Sequence, residues 1–141
     1  MELFFEITDT PESQALARVQ TGLTEFNEAE VGPAEKRALA VFVRDEDKAV
    51  VAGLLGNTAW GWLYVQWLWI DDRARGQGLA GEMLAKAETE ATARGCHGAY
   101  IDTFNPVALK VYQKAGYDVF GALPEFPKGR TRSFLQKRLV P

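Results

Sequence analysis

Trp67-Leu68-Trp69-Ile70, followed by Asp71-Asp72-Arg73-Ala74 and then Arg75-Gly76-Gln77-Gly78-Leu79-Ala80, leads from an apolar strand-like run through a glycine-rich turn into a helical stretch, Met83 to Ala93. A helix that starts in such a turn has first-turn amide N–H groups with no partner inside the helix. Glycine keeps Cβ atoms out of the way of anything approaching those amides. The helix N-terminus adds partial positive charge and Arg75 can add a full one, so the turn is suited to holding phosphate.

Two common phosphate-binding patterns are set aside by the residues themselves. A P-loop ends in Gly-Lys-Ser/Thr, whereas Leu79-Ala80 offers neither a lysine for a γ-phosphate nor a hydroxyl for Mg²⁺. Gly76-Gln77-Gly78-Leu79-Ala80-Gly81 does spell the dinucleotide fingerprint, but it lies mid-chain with too little sequence after it for a two-lobed Rossmann sheet. A diphosphate carried by some other cofactor remains.

Further on, Asn105-Pro106-Val107-Ala108-Leu109-Lys110-Val111-Tyr112-Gln113-Lys114-Ala115-Gly116-Tyr117 reads as a short capped helix. Asn105 stands at the N-cap, Pro106 at the first helical position and Gly116 at the end. Asn105 and Tyr112 are two turns apart, which puts both on one face.

Together the two segments resemble the GNAT superfamily of acyl-CoA-dependent N-acetyltransferases, in its small single-domain bacterial type. The first family pattern, Gln/Arg-x-x-Gly-x-Gly/Ala before a helix, is met by Arg75, Gly78 and Ala80; the second is met by Asn105, Ala108, Tyr112, Lys114, Gly116 and Tyr117. Arg73-Ala74-Arg75-Gly76-Gln77-Gly78 also satisfies the first pattern. The Arg75 register is preferred because it leads directly into the apolar stripe Met83, Leu84 and Ala87.

The rest of the chain fits round these motifs. Leu3 to Thr8 reads as a strand, and Pro11-Glu12 opens a helix with Leu16, Val19, Leu23 and Phe26 at helical spacing, ending by Gly32-Pro33. Ala38 to Val43 and Lys48 to Leu55 read as a hairpin, Trp60 to Ile70 as a long strand, and Gly78 to Arg94 as the helix after the glycine turn. Strands are then expected over Ala99 to Thr103, Tyr117 to Ala122 and Arg132 to Leu139. The order predicts a mixed α/β (α+β) fold in one domain spanning residues 1–141. The resemblance implies a six- to seven-stranded sheet, both parallel and antiparallel, with helices on both faces and splayed central parallel strands.

Composition agrees with a compact enzyme: 141 residues, 47% hydrophobic and 25% charged, are enough for one real core. A net charge of −3 argues against sequence-independent nucleic-acid binding. The start lacks the features of a signal peptide and no apolar run reaches membrane-spanning length, so a cytoplasmic protein with no membrane partner is expected. The single cysteine, Cys96, forms no internal disulfide and no cysteine-based zinc site, and no metal is expected.

The resemblance implies acetyl-CoA as cosubstrate and a primary amine, on a small molecule or peptide, as acceptor. It places the pantetheine arm along Leu68, Trp69 and Ile70, the diphosphate on Arg75, Gly76, Gln77, Gly78, Leu79 and Ala80, and the arm's contact on Asn105. Acetyl transfer to an amine needs a neutral amine, a polarised carbonyl and a proton for the departing thiolate. The resemblance makes Tyr112 the general acid. Asp102 is the best-placed carboxylate for the base; Glu28, Glu30 and an ordered water are the alternatives. His97 sits in a helix-ending turn away from the reacting end. Trp60, Trp62, Trp67 and Trp69 with Tyr64 load one strand with rings expected on both faces of the sheet, some of them a candidate wall for the acceptor. A homodimer is the expected assembly. A non-catalytic acyl-CoA sensor and a dimeric interaction module are the competing function classes.

Overall fold

The computed structural model describes residues 1–140. They divide into two compact units, Met1–Ala34 and a second that begins at Glu35. In the first, α1 (Ser13–Val31) follows Pro11-Glu12 and is stopped by Gly32, whose φ of 90° lies in the left-handed region. The expected stripe of Leu16, Val19, Leu23 and Phe26 is present but exposed, and α1 buries no residue. The strand expected over Leu3 to Thr8 does not form. A strand exists only through a ladder to a neighbour, and alternation of side chains cannot supply one.

The second unit is a six-stranded sheet in the order β1-β2-β3-β4-β6-β5. The strands are β1 (Arg37–Arg44), β2 (Val50–Ala59), β3 (Trp62–Ile70), β4 (Gly98–Thr103), β5 (Asp118–Pro124) and β6 (Thr131–Arg138). Only β3 and β4 pair in parallel, because α2 (Leu79–Ala93) crosses over between them. The shorter α3 (Pro106–Lys114) follows β4. Met83, Leu84, Ala87 and Ala91 of α2 and Tyr112 of α3 pack with Leu39, Ala52, Leu54, Leu63, Val65, Ala99, Ile101 and Leu135 of the strands in one core. Both helices therefore cover the same face.

β2 runs four residues past its expected end, through Gly56, Asn57 and Thr58, which look like turn formers but are held by ladders on both sides. The turn lies at Trp60 and Gly61, with φ of 47° and 79°.

One irregularity shapes the site. In the β2–β3 ladder Gly56 faces Val65 and Leu55 faces Trp67, so Gln66 is an extra residue, a β-bulge. The insertion shifts side-chain parity. Before it, Leu63 and Val65 face the core; after it, Leu68 and Ile70 do, opposite Leu54 and Ala52. Trp62, Tyr64, Trp67 and Trp69 thus all lie on the outer face. The expectation of rings on both faces is corrected by this bulge. Pairing of β3 with β4 also stops here, its last pair being Val65 with Ile101.

Candidate active site

Beyond Val65 the two parallel strands part. The β3 backbone from Gln66 to Ile70 keeps β2 on one edge and, among the described residues, has no strand on the other. Such an edge offers N–H and C=O groups to any extended chain bearing amides.

α2 starts at the same end of the sheet. Its N-cap, Gly78, has φ 76° and no side chain caps the helix; Gly76 has φ 77°. A Cβ built at Gly76, Gly78 or Gly81 meets nothing within 4 Å. Conformation, and not crowding inside the protein, requires glycine at Gly76 and Gly78. Their open surroundings and the uncapped amides fit a diphosphate. Arg75 stands at the rim, its Nε donating to the Ile70 carbonyl at 3.1 Å and its Nη1 2.9 Å from Asp72. Arg73 is turned to Asp71, whose carboxyl is held below the usual range chiefly by the Arg73 backbone N–H and then by the Arg73 side chain.

The third wall is α3. Asn105 Oδ1 accepts the N–H groups of Val107 (2.8 Å) and Ala108 (3.2 Å), so it caps the helix as its position predicts. Its Nδ2 donors remain for a ligand. Tyr112 is buried, 6% exposed, and burial, then the charge of Asp102, pushes its phenol up to about 12. Its hydroxyl takes no protein partner among the described residues. The end of α3 is fixed by a cluster below it: Tyr117 N–H donates to the Tyr112 carbonyl (3.0 Å), Tyr117 Oη to Glu88 (2.8 Å), and Lys137 Nζ to Glu88 (2.7 Å) and to the Ala115 carbonyl (2.9 Å).

These walls enclose a cavity of about 610 Å³. Leu68, Trp69, Ile70, Arg75, Gly76, Gly78, Leu79, Ala80, Asn105 and Tyr112 line it, while Gln77 and Asp102 do not. Sequence reading missed the contributions of Gly81, Val107, Ala108 and Val111. Val111 carries a signal, lying three residues from Ala108 on the same helical face.

Asp102 is the first residue of β4 past the last β3–β4 pair, on the outer face with Tyr100. Its Oδ1 accepts Arg132 Nε at 2.9 Å and lies 2.8 Å from Nη2. Arg132 was not singled out from the sequence, because only strand register brings it to Asp102. The other early candidates lie elsewhere. His97 donates its N–H to the Gly61 carbonyl (2.8 Å) and sets its ring edge-on to Trp62, at the end of β3 opposite the bulge. Cys96 is buried, and burial pushes its thiol up. Within the first unit, Glu28 accepts the Ala34 N–H at 3.2 Å and Glu30 is exposed.

Comparison with known proteins finds acetyltransferases of the same fold. The model of the acetyltransferase (GNAT) family matches residues 3–117. An acetyltransferase of Agrobacterium fabrum is 42% identical over 134 residues, 95% of this chain and 98% of the relative. The blasticidin-S acetyltransferase of Streptomyces morookaense is 37% identical over 101 residues, 71% of this chain and 74% of that enzyme. The crystal structure of an Agrobacterium tumefaciens acetyltransferase, 42% identical, superposes with a TM-score of 0.91 over 96% of this chain and 99% of its own.

Proposed function

The chain belongs to the acetyltransferase (GNAT) family, and from that premise we propose that it moves the acetyl group of acetyl-CoA to a primary amine by direct attack in a ternary complex. The observation that carries the reading is the convergence of three features on one cavity: an uncapped, glycine-opened helix start, an unpaired strand edge, and a buried tyrosine with a free hydroxyl. A sensor needs the first two but not the third. No helix is long and apolar enough to cross a membrane among the described residues.

In this reading the first-turn amides of α2, with Arg75 beside them, hold the diphosphate. The free edge of β3 pairs with the amides of the pantetheine arm, and Asn105 Nδ2 donates to the same arm. Bound acetyl-CoA supplies a thioester carbonyl with a thiol leaving group. A β3 backbone N–H near the bulge polarises that carbonyl in the manner of an oxyanion hole. Tyr112 and Asp102 move the protons. The C–N bond forms as the C–S bond breaks, and the electron pair of C–S leaves with sulfur. Tyr112 delivers a proton there, and Asp102, directly or through a water, takes the proton that the amine loses.

The pKa values order these events. A thiol near 8.5 is a stronger acid than a phenol pushed up to about 12, by roughly 3.5 units. Transfer from Tyr112 is most unfavourable while sulfur is still bonded to carbon and stays uphill by that margin even after the thiolate departs. Tyr112 therefore serves first as a hydrogen-bond donor and gives up its proton late. Calorimetric titration with acetyl-CoA, combined with thiol release over a panel of amines, tests the reading. Binding with amine-dependent release supports it; a protein that does not bind acetyl-CoA would end it.

A further inference from the structure

The cofactor cavity lies on the core face of the sheet, walled by α2 and α3. The acceptor then has to reach the carbonyl from the other side, past the point where β3 and β4 part. The outer face at that point is unusually furnished. Arg132, two residues before Phe134 on β6, sits with its guanidinium carbon 4.7 Å from the ring centre of Phe126 and 5.1 Å from that of Phe134. Two rings and a carboxylate thus hold this guanidinium in place, and a guanidinium already fixed loses little freedom on binding a further group. Tyr64 and Tyr100, in register on β3 and β4, stack at 4.7 Å beside it.

The ion pair is only half used. Both contacts from Arg132 converge on Asp102 Oδ1. Asp102 Oδ2 has no protein partner among the described residues, and neither does Arg132 Nη1. Asp102 Oδ2 and the two N–H donors of Arg132 Nη1 are left over at the mouth of the splay, on side chains 17% and 28% exposed. A pair serving only to join β4 to β6 would gain most from the two-oxygen, fork-to-fork geometry. This one leaves a donor set and an acceptor for a ligand with the opposite arrangement.

We propose that the acceptor is an amine that also bears a carboxylate, with the carboxylate on Arg132 and the amine nitrogen on Asp102, against the Tyr64, Tyr100 and Phe134 rings. This deepens the acetyltransferase reading and rests on it. Arg132 selects the substrate; Asp102 holds the amine where its proton can be taken.

The test uses matched amines with and without the acid: phenylalanine against 2-phenylethylamine, and lysine against 1,5-diaminopentane. In the wild type, kcat/KM favours the carboxylate-bearing member by at least about tenfold, mostly through KM, as expected for a charge-assisted contact. In Arg132→Gln that ratio falls to near one, and in Arg132→Lys it is partly restored. The ratio is measured within each variant, so loss of folded protein cancels. Calorimetry with the same amines in the presence of CoA gives a second readout that does not depend on turnover. Carboxylate-dependent binding in the wild type that is absent in Arg132→Gln supports the proposal. Turnover of both members with equal kcat/KM, or a preference that survives in Arg132→Gln, overturns it while leaving the transferase reading intact. Binding of acetyl-CoA with no thiol release in the presence of any amine counts against the transferase reading instead, and the calorimetric comparison still decides the role of Arg132.

Discussion

In the proposed transfer, Tyr112 shows how a residue's surroundings set its task. Burial and the Asp102 charge hold its phenol protonated up to about 12, so at any working pH it is a donor and not a base. Replacing it by phenylalanine removes the donor and little else, because the hydroxyl supports no contact inside the protein among the described residues. Tyr112→Phe should lower kcat by about 10²-fold or more, the usual range for a lost general acid, and leave the dissociation constant of acetyl-CoA within about twofold, as calorimetry will show. The pH profile carries a second expectation. Activity rises as the amine deprotonates, and no alkaline limb assignable to Tyr112 falls below about pH 11. A wild-type decline near pH 9 that vanishes in Tyr112→Phe would contradict this assignment. The place of Tyr112 and Asn105 on one wall of the cavity was legible from the sequence because their spacing on one helix is a local property. Arg132 was not, since its meeting with Asp102 depends on the β4–β6 register across thirty residues of chain.

At the scale of elements, the glycine turn and the bulge do the positioning, and they were unequally legible. The turn announced itself through Gly76 and Gly78, and its left-handed angles follow from the strand-to-helix reversal. Gly78→Ala forces a Cβ into that region at a cost of about 1–2 kcal/mol, with no clash to relieve. It should lower Tm by several degrees and weaken acetyl-CoA binding, since the amides of α2 are re-aimed; unchanged affinity in a folded protein would show that the turn does not hold the diphosphate. The bulge was invisible because Gln66 looks like any other strand residue, and it brings Trp67 and Trp69 to the same face as Trp62 and Tyr64 where rings on both faces were expected. Gly56 lies opposite it, and a Cβ there would run into the backbone carbonyl oxygen of Tyr64. Gly56→Ala therefore has no room unless the bulge is rebuilt. A stability loss of about 2 kcal/mol or more is expected in urea titration, with kcat/KM falling further than the folded fraction, because the β3 edge moves with the bulge.

Across the whole molecule the same burial that tunes the site makes stability depend on alkaline pH. Tyr117 is 1% exposed, and burial, reinforced by the Glu88 charge and its hydrogen bond, pushes its phenol up in the same direction as that of Tyr112. The cluster of Tyr117, Glu88 and Lys137 ties α2 to β6 and to the end of α3, although nothing in the motif reading joined these three residues. Tyrosine in the unfolded chain titrates near 10, whereas folded Tyr112 holds its proton to about 12. Below pH 10 both states are protonated and the contribution is fully present. Between about 10 and 12 only the unfolded chain releases that proton, so stability falls by up to about 1.4 kcal/mol per pH unit for this residue, on the order of 2 kcal/mol across the window. Tyr64, Tyr100 and Tyr117 shift in the same sense and steepen the decline. Urea midpoints measured from pH 8 to 11.5 should stay level for these groups until about 10 and then drop. In Tyr112→Phe, which has no phenol to titrate at that position, the drop should be shallower by about one proton's worth of slope. Equal slopes in wild type and variant would mean that Tyr112 ionises as readily in the folded protein as in the unfolded chain, and its assignment as the retained acid at the base of the cofactor cavity would fail with it.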